Sequence, residues 1–336
     1  MTDQLSTDNW GLLGLDWAVD MLRKHIAHRT VRHAYLLTGP SGVGRRTLAL
    51  RFAQALNCPQ PPVPGEACRA CRTCRQIEAM QFPDLAVLQA EKEGGVLKVE
   101  KVREVQHSLS LKPYQGSYRV ALFLRFQEAN LNAANALLKT LEEAPAYVVL
   151  LLTAETPEQL LPTIVSRCEI LRLRPLPVEA VEAYLKQRGA DESQARLLAG
   201  LSGGRPGYAL RLKEDPAALD FRAHRLDDLS KLLGGTRRAR FAYAESLAKD
   251  KEVFRSVLLL WLAFWRDVLL CASGSGTPLS NVDRLGEIEA LAGRLSLGEV
   301  RRLVTALEKA VVRLERNINA RLLAEVLLLD WPHPGA

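Results

Sequence analysis

The stretch Gly39-Pro40-Ser41-Gly42-Val43-Gly44-Arg45-Arg46-Thr47 has the glycine spacing of a phosphate-binding loop without the residues that do its chemistry. Glycines spaced as Gly39 and Gly44 let backbone N–H groups converge on phosphate oxygens. The motif then calls for a Lys that reaches the β- and γ-phosphates and a Ser or Thr that holds Mg²⁺. Arg45 and Arg46 stand at those two places. A forked guanidinium is bulkier than an ammonium and does not sit in the same cradle. Thr47 supplies a hydroxyl one residue late, about 100° around the helix from where it is needed. The loop is expected to bind no ATP, its glycines serving to shape a strand-to-helix turn. Residual nucleotide binding is the competing expectation.

The surroundings of the loop decide its context. Ala34 to Thr38 is a short apolar run of strand type, and after Arg45 the residues Leu48, Phe52 and Leu56 recur at steps of four, as on one face of a helix. An earlier helix is predicted over Leu15 to His28, with Ala18, Met21, Leu22 and Ile26 on its stripe. Further apolar runs occur at Leu85 to Leu88, Val120 to Leu124, Tyr147 to Thr153 and Glu169 to Leu173. Helical patterns separate them: Val99, Val102, Val105 and Leu109, then Ala133, Ala134, Leu137, Leu138 and Leu141. Alternation of this kind predicts an α/β domain over residues 10–174, with a parallel sheet covered on both faces.

Strand signals stop at Pro175. Short helices are predicted at Val178 to Leu185, Ala195 to Leu201 and Tyr208 to Leu212, the last after the turn Gly203-Gly204-Arg205-Pro206-Gly207. These make residues 175–214 a small helical domain, and 215–334 an all-helical one. In the latter, Val253 to Cys271 is almost continuously apolar, and Leu303, Ala306, Leu307, Ala310, Val311 and Leu314 form a stripe. Ser273 to Pro278 reads as a linker between two helices.

At 336 residues, 48% apolar and 25% charged, the chain has ordinary globular composition and room for two or three domains. Its longest purely apolar run, Val257 to Trp265, falls well short of the roughly 20 residues of a membrane helix. Met1 to Asn9 lacks the basic-then-apolar pattern of a signal peptide. The expectation is a cytoplasmic protein whose cysteines bind metal more readily than they pair. The net charge of +7 permits contact with nucleic acid or an acidic partner.

Cys58, Cys68, Cys71 and Cys74 are spaced to close a tetrahedral four-thiolate site, the geometry Zn²⁺ prefers. An iron–sulfur cluster is the rival, although the Cys-Pro pair of ferredoxins follows the last ligand, whereas Cys58-Pro59 is the first here. With no open coordination position, zinc would be structural, clamping the Pro-rich insertion between Cys58 and Cys68. Cys168 and Cys271 read as small buried apolar residues.

An ATPase also needs an acidic pair at the end of the strand beside the loop. After Val120-Ala121-Leu122-Phe123 come Leu124 and Arg125, neither of which can bind a metal. Asp84 and Glu128 are assigned structural roles.

Several segments together resemble bacterial clamp-loader AAA+ subunits. They are His33-Ala34-Tyr35-Leu36 leading into Gly39-Pro40, the four-cysteine module, Asn132 to Lys139 with Leu141-Glu142-Glu143, Ser166-Arg167-Cys168, and Asn317 to Leu322. The resemblance covers about residues 10–330 and, with the ATP residues missing, is to the non-motor kind. It implies a P-loop-type AAA+ domain, a helical lid and a C-terminal collar. It implies too that Ser166 and Arg167 form an arginine finger acting in trans on a neighbour's ATP, within a hetero-pentamer of gamma/tau- and delta-type subunits around primer–template DNA. The resemblance leaves open a direct contact with the sliding clamp and implies no membrane. The family's sensor falls on Thr153, and its phosphate-sensing arginine has no match, Arg205 being out of register before Pro206 and Gly207. Two other readings stay open: an ATP-hydrolysing motor subunit, and a zinc-bearing nucleic-acid-binding protein.

Overall fold

The computed structural model describes residues 9–92, 94–315 and 318–332. Met1 to Asp8, in the segment expected to carry no signal peptide, and Asn317 of the collar-like segment lie outside the described residues. The chain divides into two compact units, one of residues 1–176 with 205–208, the other of 177–204 with 209–336. The stretch 175–214 is therefore shared between them.

Unit 1 alternates helix and strand: α1 (Asp16–Ala27), β1 (Ala34–Thr38), α2 (Arg45–Asn57), α3 (Arg72–Glu78), β2 (Leu85–Leu88), α4 (Val99–Leu109), β3 (Arg119–Phe123), α5 (Leu131–Glu143), β4 (Val148–Ala154), α6 (Pro162–Val165) and β5 (Glu169–Arg172). All five strands are parallel, in the order β2-β3-β4-β1-β5. The apolar runs are continuous because both faces of the sheet are covered. Successive β1 residues alternate between two cores: Tyr35 and Leu37 pack with Val19, Leu48 and Phe52 from α1 and α2, while Ala34 and Leu36 pack with Val102 and Leu137 from α4 and α5. One expectation is corrected here. The strands beside the loop strand are β4 and β5, not β3: Leu37 pairs with Thr153 and with Leu171, and Phe123 in turn pairs with Leu152. Sequence order puts β3 earlier, but the crossover through α5 carries β4 into the gap.

Unit 2 is helical: α7 (Val178–Gln187), α8 (Glu192–Ser202), the greater part of α9 (Pro206–Glu214), α10 (Pro216–Leu233), α11 (Arg237–Leu247), α12 (Lys251–Ala272), α13 (Leu285–Arg294), α14 (Leu297–Glu315) and α15 (Ala320–Leu329). Side chains of Asp191, Thr236, Asp250 and Asn319 accept N–H bonds from the first turns of α8, α11, α12 and α15. Each such cap stabilises its helix by about 1 kcal/mol. Phe254, Val257, Leu258, Trp261, Phe264, Trp265 and Val268 give α12 a buried stripe at the centre of this core. Asp267 interrupts it, yet one carboxylate oxygen accepts from the Ser280 and Asn281 N–H groups and from Asn281 Nδ2 at 2.7–2.9 Å. Among the described residues, no helix is long and apolar enough to cross a membrane.

Candidate functional site

The loop leaves β1 at Thr38 and enters α2 at Arg45. Gly39, Gly42 and Gly44 have φ values of 141°, 87° and 109°, which side-chain-bearing residues rarely adopt. Gly39 is further constrained because a Cβ there would collide with the Leu173 carbonyl. At the apex, Gly207 N–H donates to Gly42 O at 2.9 Å, and a Cβ on Gly42 would meet Tyr208 Cβ at 2.8 Å. The turn at 205–208 is thus fastened to the loop's tip, with the Arg205 guanidinium lying 4.6 Å over the Tyr208 ring. Arg45, at the lysine position, is buried, whereas Arg46 turns away to Met80 Sδ at 3.4 Å.

At the level where an acidic pair would act, Leu124 is buried and Arg125 adopts a left-handed φ of 50°. Arg125 N–H donates to Thr153 Oγ1 at 2.9 Å, and Thr153 Oγ1 donates in turn to Phe123 O at 3.3 Å. The Thr153 hydroxyl therefore ties β3 to β4. Glu128 accepts from Arg125 Nε at 2.8 Å and from Gly94 N–H at 2.9 Å.

Asp84 is buried and holds the segment 114–116 in place. Its carboxylate accepts from the N–H groups of Tyr114, Gln115 and Gly116 at 2.7–2.8 Å and lies 3.5 Å from Arg119 Nη2. Burial alone would raise its pKa, but the three N–H donors together with Arg119 hold it below the usual carboxylate value. The structural roles expected of Asp84 and Glu128 agree with these bonds.

The thiols of Cys58, Cys68, Cys71 and Cys74 all lie within 4.8 Å of one another. Cys58 and Cys68 sulfurs are 3.5 Å apart, and those of Cys68 and Cys74 4.0 Å. A tetrahedral site with Zn–S near 2.3 Å has sulfurs about 3.8 Å apart, so the arrangement fits zinc. Backbone N–H groups of Cys68, Cys71 and Cys74 donate to Cys58, Cys68 and Cys71 sulfur at 3.3–3.4 Å. The Cys71 and Ala70 N–H groups pull the Cys68 thiol down to about 6, while burial pushes Cys74 up. Ionising all four together would need a cation between them to offset their mutual repulsion. The cluster joins the end of α2, where Cys58 is the C-cap, to α3, where Cys71 is the N-cap. Three residues that sequence reasoning did not single out brace the same junction: Gln54 Nε2 donates to Cys74 O at 2.7 Å, and Arg51 pairs with Glu78.

Ser166 and Arg167 follow α6, immediately before Cys168 and β5. Arg167 is partly exposed and held by two acceptors, Thr163 O at 2.9 Å from Nη1 and Glu142 Oε1 at 2.6 Å from Nη2. Ser166 Oγ donates to Thr163 O at 3.2 Å. Two of the motifs read in the sequence, Leu141-Glu142-Glu143 and Ser166-Arg167-Cys168, are therefore in direct contact. Cys168 is partly buried, and burial raises its thiol pKa to about 12. Cys271 is partly buried at the end of α12.

A parallel sheet in this order, with a glycine loop between β1 and α2, defines an AAA+ domain of the P-loop class, here joined to a helical unit. The family described as DNA polymerase III, delta subunit, matches residues 15–177, and its C-terminal counterpart matches 216–333. The chain is 33% identical to the DNA polymerase III subunit delta' of Pseudomonas aeruginosa, over 90% of this chain and 93% of that one. It is 29% identical to the subunit of the same name from Bacillus subtilis, over 92% and 93%. Similarity to the Escherichia coli DNA polymerase III subunit tau, 32% identical, covers 62% of this chain and 32% of that one. The chain belongs to the DNA polymerase III delta-prime subunit family.

Proposed function

We propose that the chain is a non-hydrolysing subunit of the bacterial replicative clamp loader, lending Arg167 to the ATP site of a neighbouring gamma/tau-type subunit. The observation that carries this reading is the contrast between two places in unit 1. The chain's own loop has Arg45 and Arg46 for Lys and Ser/Thr, and Leu124 and Arg125 where metal-binding acids belong. Arg167 meanwhile is partly exposed, oriented by Thr163 and Glu142, on the short segment between α6 and β5. A guanidinium held in place before the partner arrives loses little further freedom when it meets a phosphoryl group, and its charge stabilises the one that develops in transfer. Glu142 would give up Arg167 to the phosphate, so the pair acts as a holding position.

On this reading the four thiolates Cys58, Cys68, Cys71 and Cys74 hold a structural zinc, which supplies only cross-linking. Residues 10–174 serve as the AAA+ domain, 175–214 as the lid and 215–334 as the collar of a hetero-pentamer with gamma/tau- and delta-type partners, loading the sliding clamp on primer–template DNA in the cytoplasm. Reconstitution tests the central claim. Arg167→Ala is expected to lower DNA- and clamp-stimulated ATP hydrolysis at the affected site by about 10³-fold while assembly persists. Unchanged hydrolysis in an intact complex would sink it. The isolated chain is expected to take up no Mg·ATP in a calorimetric titration.

A further inference from the structure

Between α14 and α15 runs an open groove of about 570 Å³. Along one rim, Arg301, Thr305, Lys309 and Arg313 lie in a single row at steps of four on α14, with a rise of about 6 Å between successive members. Among the described residues, no carboxylate pairs with Arg301, Lys309 or Arg313. The floor is small and apolar: Ala306 and Ala310, four apart on α14, face Leu323 and Leu327 of α15. The opposite rim is apolar and exposed. Val326 lines it, and Leu322 and Leu329 lie on the same stripe of α15, at 48%, 57% and 37% exposure respectively. Among the described residues the one acid in the lining, Asp330, is at one end.

We propose that this groove is a docking site for an acidic amphipathic helix of a partner subunit. Alanines four apart let a second helix approach closely, and flanking leucines give its apolar stripe something to bury against. A helix carrying glutamates at every fourth position repeats at the same rise as the basic row, so one set of carboxylates can meet the whole rim. A nucleic-acid backbone would satisfy the cations but leave Leu322 and Val326 facing a charged ligand. The apolar rim therefore argues for protein. The proposal deepens the collar assignment and rests on it only for which subunit supplies the helix.

The test uses the full chain and, as probe, a fluorescent helical peptide with glutamates at every fourth position and leucines on the adjoining stripe. Binding is expected, weakening with salt, and falling by about 10-fold or more in Arg301→Glu/Lys309→Glu. Val326→Asp, at an exposed position that does not threaten folding, should weaken it too, while Arg237→Glu/Arg238→Glu on α11 should not. Absence of peptide binding, or equal binding by the reversed variant, overturns the proposal. So does tighter binding of a single-stranded oligonucleotide at the same cations. If the peptide behaves as expected but gamma/tau- and delta-type subunits assemble equally well with the reversed variant, no partner subunit docks in this groove and the proposal fails, while the collar assignment, which does not depend on this one face, stands.

Discussion

Asp84 keeps its charge in a place that water does not reach, because three N–H groups and Arg119 face it. Asp84→Asn removes the charge and turns an amide NH₂ toward those donors, which should cost about 2–4 kcal/mol at pH 7. The pH dependence follows from the direction of the shift. Since the folded state holds the carboxyl below its ordinary value, its contribution is complete above the unfolded pKa, near 3.9, and is lost as pH falls through the lower folded one. Denaturant melts of the two proteins should differ at pH 7 and draw together progressively as pH falls below the unfolded value, near 3.9. A gap that persists unchanged in acid would show that packing, not charge, sets the cost. Asp84 was legible as a structural acid, but not its partners, 30 to 32 residues away across a loop without an apolar pattern. Arg167 was legible only through its neighbours in a motif, and its contact with Glu142 appears once the chain is folded.

At the scale of elements, apolar runs located the strands closely: Val120 to Leu124 was expected, and Arg119–Phe123 is observed. Strand order was not legible, because each run reports burial and says nothing of which neighbour it has. Helix α3 was missed for a different reason. Arg72–Glu78 has one buried apolar residue, Ile77, so it shows no stripe. What starts this helix is the Cys71 thiol accepting the Cys74 N–H, and what fixes it to α2 is the thiol cluster with the Gln54 bond. A seven-residue helix does not persist alone in water. Cys74→Ser, at the buried ligand, is therefore expected to release bound zinc and to melt α3 while the sheet persists. Metal analysis together with amide exchange at 72–78 checks it. Full protection of α3 in zinc-free protein would mean that Gln54 and Glu78 suffice.

Across the whole molecule, residues that organise chemistry and residues that organise helices fall in different compact units. Unit 1 has the glycine loop, the thiol cluster and Arg167, built around a sheet with two cores. Unit 2 has, over α10 to α15, a helical core whose closure depends on a buried arginine. Arg240 donates to the carbonyls of Leu232 and Leu233 at the end of α10, and to those of Leu328, Trp331 and Pro332 at and beyond the end of α15, at 2.8–3.3 Å. Five carbonyls at or beyond the ends of two helices converge on one planar cation, those of Leu232 and Leu328 accepting from the Gly235 and Trp331 N–H groups as well. A pattern of apolar residues cannot announce such a role, because the arginine occupies a polar position of α11 and its partners lie as far as 92 residues away. Arg240→Ala should cost about 3 kcal/mol, leaving those carbonyls buried beside a cavity. Arg240→Lys should recover only part of it, since an ammonium has three donors and no fork. Because the units have separate cores, amide exchange in Arg240→Ala is expected to rise across α10, α11 and α15 and to stay slow in β1, β3 and β4. Equal loss of protection in the sheet would show that the two cores unfold as one.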